Sequence, residues 1–163
     1  MEEEKSYKRT FKEVIYDFTD LGETSSLREK ALIKVLRIIP DEDYEKLKKD
    51  NYQKYQFFIE SKDNFGKVHL LEYQTKFILY LNPILEGLGI DRVIAVAAHE
   101  LAHIVLDHIP GELINEQQEI QAWNRVCEWG FDKEARNHLA QRREEEVIEI
   151  TIKPPIKPFS FPE

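Results

Sequence analysis

One stretch constrains this chain more than any other: Val93-Ile94-Ala95-Val96-Ala97-Ala98-His99-Glu100-Leu101-Ala102-His103-Ile104-Val105-Leu106. It is apolar at almost every position and holds no Gly or Pro. Such a run predicts a helix that is hydrophobic all round, and helices of that kind are buried. Its centre nevertheless carries His99, Glu100 and His103. Left without partners in an apolar interior, each of these groups costs roughly 1–3 kcal/mol. Something must therefore compensate them. His99 and His103 stand one helical turn apart, so one face presents both imidazoles. Two imidazoles held in that way make half of a tetrahedral zinc site. Glu100 lies about 100° round the helix from His99, placed to reach water at the metal without binding the metal itself. The spacing is that of the H-E-x-x-H motif. The bland alternative is a pair of core histidines bonded to backbone, with the glutamate facing solvent.

A catalytic zinc also needs a third protein ligand and an open position. The candidate is Glu119, early in the next predicted helix, with Ala122, Trp123 and Val126 following on the same apolar face. A carboxylate facing inward needs a partner, and a metal ion is a suitable one. Glu116, one turn earlier, is an alternative, and so is His108. Five residues after His103, however, His108 is rotated by about 140° if the helix continues. It reads more simply as a helix C-terminal histidine near free carbonyls. Asp107, one turn after His103, is placed to orient that histidine or simply to end the helix.

The segment Ala98-His99-Glu100-Leu101-Ala102-His103-Ile104-Val105-Leu106-Asp107-His108, followed by Glu119-Ile120-Gln121-Ala122-Trp123, resembles the ImmA/IrrE family of small zinc metallopeptidases, within the gluzincin group. The resemblance implies that His99, His103 and Glu119 bind one zinc ion per chain and that Glu100 is the catalytic base. It implies an intracellular endopeptidase of narrow specificity whose substrate is a protein or peptide, such as a regulatory protein. Members of the family often carry Gly where Ala102 stands and a second Glu where Gln121 stands. Where this chain has Trp123, they commonly have Asn or Asp. An alternative of another class is a metal-bound domain that acts by binding a partner without turnover. The carboxyl group of Glu100 favours catalysis, since a binding domain does not need it.

The remaining chain predicts an α+β fold: a single zincin-like domain over residues 1–152, with a small antiparallel three-stranded sheet packed on helices. A helical N-terminal part spans 1–50. It contains an amphipathic helix built on Phe11, Val14, Ile15 and Phe18, and a second helix capped by Ser25 or Ser26 and stopped at Pro40. The sheet spans 52–81, with strands over 52–59, 67–73 and 76–81 separated by turn signals. Phe77 to Leu81 is either the candidate edge for holding an extended substrate by backbone pairing or an interior strand of the sheet. The active-site helices occupy 91–146, with Asp91 expected as the cap of the first and Gly130 as the C-cap of the second. A final strand is expected over 147–152. The Pro-rich tail, 153–163, is expected to be extended and outside the core.

Composition narrows the function classes. With 31 acidic against 23 basic residues the net charge is −8, which argues against a general nucleic-acid-binding surface. Cys127 is the single cysteine, so no intramolecular disulfide is possible and a reducing compartment fits. The acidic start, Met1-Glu2-Glu3-Glu4-Lys5, does not read as a signal peptide. No apolar run reaches the ~18 residues that span a membrane. The expected location is cytoplasmic.

Overall fold

The computed structural model describes residues 6–18, 21, 26–51, 66–70, 77–81, 83–108 and 116–152. Six helices carry most of the described chain: α1 (Phe11–Asp17), α2 (Leu27–Ile38), α3 (Asp41–Asn51), α4 (Ile90–Val105), α5 (Glu116–Val126) and α6 (Asp132–Ile152). Two short strands, β1 (Gly66–Leu70) and β2 (Phe77–Leu81), pair antiparallel with Gly66 opposite Leu81 and Leu70 opposite Phe77.

The expected α+β fold with a three-stranded sheet is therefore corrected. The described chain is mostly helical, and its only sheet is this two-stranded ribbon. The strand expected over 52–59 and the Pro-rich tail both lie outside the described residues. The strand expected over 147–152 does not form, because α6 continues unbroken to Ile152. The alternation Val147-Ile148-Glu149-Ile150 resembles a strand pattern locally. Extending an existing helix adds one hydrogen bond for each residue fixed, whereas a new strand needs a partner edge.

Helix α4 is the centre of the molecule. Every residue from Arg92 to Val105 is buried, and α2, α3, α5 and α6 all pack against it. Fully burying a side chain such as Ile94, Leu101 or Ile104 stabilises by about 1.5–3 kcal/mol, so this helix is held by its neighbours on all sides. Its start differs from expectation. Gly89, at φ 91°, precedes the helix with no side-chain cap, and Asp91 lies inside the first turn.

The helices around α4 are fastened at their ends, where backbone groups lack intrahelical partners. At the start of α2 the Ser26 hydroxyl accepts from the Glu29 amide at 3.2 Å. The Glu86 carboxylate, from the 3₁₀ turn before α4, accepts from the amides of Leu27 at 2.8 Å and Arg28 at 3.0 Å. An anion at a helix N-terminus is stabilised by those amides. Although burial opposes it, their pull and that of Arg28 hold the Glu86 carboxyl below its usual range. At the other end of α2, Arg9 donates to the carbonyls of Leu36 and Ile39, both at 2.9 Å.

Helices α5 and α6 meet at a kink. The segment Cys127–Phe131 between them contains Gly130 at φ 93°, a left-handed conformation that glycine adopts without a Cβ clash. Beside the kink, the Trp129 indole and Arg125 donate to Asp43 at 2.7 and 3.1 Å, tying this corner to α3. Among the described residues no helix is long and apolar enough to cross a membrane.

Candidate metal centre

Helix α4 supplies His99, Glu100 and His103, and α5 lays Glu119 against them. The burial of Ala122, Trp123 and Val126 turns the α5 face that bears Glu119 toward α4, as the apolar spacing requires. Three contacts close a triangle: His99 Nε2 to His103 Nε2 at 3.1 Å, His103 Nε2 to Glu119 Oε1 at 3.0 Å, and His99 Nε2 to Glu119 Oε2 at 3.0 Å. Donors bound to one zinc at about 2.0–2.1 Å from the ion sit roughly 3–3.5 Å apart, so the triangle has the size of a coordination face. Of the described residues, only these three form a group able to hold a metal ion.

Hydrogen bonding among the three groups does not satisfy them. A neutral imidazole has one N–H and one bare nitrogen. Two Nε2 atoms that face each other and also face a carboxylate do not have enough hydrogens for all three contacts. The approach of His99 Nε2 to Glu119 Oε2 is short, yet Oε2 has no partner at hydrogen-bonding angles. Of the contacts to the carboxylate only that of His103 Nε2 with Glu119 Oε1 has N–H···O geometry, and the three groups still close on one another. A cation between them would meet all three groups at once, so the donor set could hold a metal ion.

The charges around the site are strongly coupled. Burial pushes the Glu100 carboxyl above its usual range, and the Glu119 charge adds to this while His99 and His103 oppose it. Burial pulls His103 down, but the Glu119 hydrogen bond and the charges of Glu100 and Glu119 outweigh it, and its pKa is raised. Burial also disfavours the Glu119 anion, yet the contacts with His103 and His99 hold that carboxyl well below the carboxylate range. Glu100 is thus a buried carboxyl close enough to feel both imidazoles and Glu119, while being absent from the metal-holding group.

The alternative ligands are placed elsewhere. Glu116 is exposed at the first position of α5. Asp107 does not orient His103; its side chain is exposed and pairs with Lys46 at 2.6 Å. His108 is not in the metal-holding group, and it does not bond free carbonyls through its ring. It is buried, with Nδ1 2.7 Å from His103 Nδ1 and Nε2 3.1 Å from Gln121 Oε1. The rotation that was expected to carry it away assumes a continuing helix, but α4 ends at Val105. There the Asp107 amide donates to Ile104 O at 3.1 Å and the His108 amide to His103 O at 3.0 Å. With Asp107 left-handed at φ 59°, this is a Schellman turn, and it folds His108 back beneath His103.

Trp123 is the other neighbour that spacing alone did not assign to the site. Its ring stacks on His99, with centroids 4.1 Å apart and planes 24° from parallel. Behind it lies His138 of α6, whose Nδ1 accepts from Arg92 Nε at 3.0 Å. Burial and the Arg92 charge lower the His138 pKa to about 3.

In comparisons with known proteins, no family model, no curated protein and no solved structure matches this chain.

Proposed function

We propose that the protein is a zinc-dependent endopeptidase of the ImmA/IrrE-like type, acting in the cytoplasm on a protein or peptide substrate. The observation that carries the reading is the convergence of His99 Nε2, His103 Nε2 and the Glu119 carboxylate within about 3 Å of one another beside buried Glu100. His99, His103 and Glu119 hold the ion, which when bound supplies a Lewis acid that acidifies water and polarises a carbonyl. Glu100 receives the proton from the attacking water and passes it to the leaving amine. Burial raises the affinity of the Glu100 carboxylate for that proton. The apolar walls that surround α4 keep bulk water from competing for the same positions. The substrate lies extended along β2, held by backbone pairing as in strand addition.

The test separates metal binding from turnover. Elemental analysis of the purified full chain should give one zinc per chain, lost in His99→Ala and His103→Ala. Glu100→Gln should retain zinc and lose cleavage of a quenched fluorescent peptide library by at least about a hundredfold, the usual scale for removing a general base. Zinc loss in Glu100→Gln, or cleavage that survives it, overturns the assigned roles. Zinc bound by a wild-type protein that cleaves nothing favours the partner-binding alternative.

A further inference from the structure

We propose that Gln121 and His108 form a hydrogen-bonded chain that fixes the tautomer of His103 and leaves its Nε2 bare to bind the metal. The inference rests on the zinc reading above and extends it to two residues outside the triangle.

The argument is a count of protons. A carbonyl oxygen only accepts, so the 3.1 Å contact at Gln121 Oε1 requires a hydrogen on His108 Nε2. A neutral His108 then has a bare Nδ1. That atom lies 2.7 Å from His103 Nδ1, which must therefore be the donor. With a hydrogen held on Nδ1, His103 can give up the Nε2 hydrogen that it shares with Glu119 Oε1 at 3.0 Å and become a neutral ring with a bare Nε2, the form a metal ligand needs. Rotating the Gln121 amide by half a turn reverses every donor. It leaves His103 Nδ1 bare, so that giving up the Nε2 hydrogen to a cation would strip the ring of both its protons. The chain thus has two directions, and only one is competent to bind metal.

The two histidine ligands are held in different ways. His99 Nδ1 has no hydrogen-bond partner among the described residues, and its ring is held by the stack on Trp123. His103 has no such stack and is held through His108. The Schellman turn at Asp107 makes this possible, because a continuing helix would point His108 elsewhere. His108 and Gln121 are accordingly positioning residues that act through His103.

Zinc affinity is measured on the full chain by competition with a chromophoric chelator, with circular dichroism as the check on folding. His108→Phe keeps a ring and removes both nitrogens, and should weaken zinc binding 10–100-fold. Gln121 is exposed on α5, so Gln121→Met leaves the fold intact while deleting the acceptor, and affinity should fall several-fold. Gln121→Glu restores an acceptor and should bind as tightly as wild type or more so. Nitrogen-15 spectra of the zinc-loaded wild type should show His108 protonated at Nε2 and His103 at Nδ1, with the His108 preference lost in Gln121→Met. Wild-type affinity in both Gln121→Met and a folded His108→Phe, or a His108 whose Nε2 is bare, overturns the inference while leaving the zinc site standing. A wild-type chain that binds no zinc overturns both.

Discussion

Trp123 stacks on His99, whose Nδ1 has no hydrogen bond among the described residues to orient the ring. The indole covers one face of His99, yet its own Nε1 is buried with no partner among the described residues. Apolar area and an unsatisfied donor therefore oppose each other within one side chain. Trp123→Ala loses the area and opens a cavity, and should cost about 3–5 kcal/mol. Trp123→Phe also loses some area, but it removes an orphaned N–H worth roughly 1–3 kcal/mol, so its net cost should stay within about 1.5 kcal/mol. Urea midpoints of the two variants check this. Equal losses would mean that the indole nitrogen matters more than the stacking.

The left-handed residue after α4, Asp107, and the one at the kink between α5 and α6, Gly130, have different chemistry and different consequences. At Gly130 a Cβ would meet no atom within 4 Å, so Gly130→Ala isolates the backbone cost of the left-handed state, about 1–2 kcal/mol. Asp107 already bears that strain, eased by the tolerance of aspartate for such turns. Its pair with Lys46 is largely exposed and contributes at most about 1 kcal/mol. Asp107→Gly should thus alter stability by no more than about 1 kcal/mol, because relief of strain offsets the greater freedom of the unfolded chain. Asp107→Val has a β-branched side chain in the same conformation and should cost about 2 kcal/mol or more. It should also weaken zinc binding, since the turn it disturbs places His108. Thermal melts and chelator competition on the pair of variants measure both effects. Undiminished zinc affinity in Asp107→Val would separate the turn from the site.

At the scale of the whole molecule, a helix buried on every side makes stability depend on the charge state of the groups around it. His138 is 1% exposed, and its pKa of about 3 lies far below the ordinary histidine value. Between roughly pH 6.5 and pH 3 the unfolded chain holds a proton on this residue that the folded chain does not. Folding stability attributable to His138 is therefore present above pH 6.5 and declines by about 1.4 kcal/mol per pH unit as the solution is acidified through that window. Glu100, raised by burial, works in the opposite sense, because the folded chain keeps a proton there that the unfolded chain releases. The pH profile of one protein mixes the two. The difference between wild type and His138→Gln isolates the histidine: the advantage of the wild type should shrink steadily from pH 6.5 downward in chelator-treated samples. A gap independent of pH would show that His138 is not held neutral.

Amino-acid order alone determined that α4 is buried and that His99 and His103 share a face, since both follow from helical periodicity and the cost of burying imidazoles. It also placed Glu119 on the inner face of α5 through Ala122, Trp123 and Val126, and set the break at Gly130. Tertiary structure decided the rest. Residues 147–152 alternate like a strand but propagate a helix, because pairing needs an edge that lies far away in sequence. Counted along an ideal helix His108 points away from the site, yet a single left-handed residue brings it under His103. The stacking of Trp123 on His99, and the choice of Gln121 as the end of the hydrogen-bond chain, arise only where α5 crosses α4. Local periodicity records which way a side chain faces on its own element, and it carries no term for what another element brings opposite it.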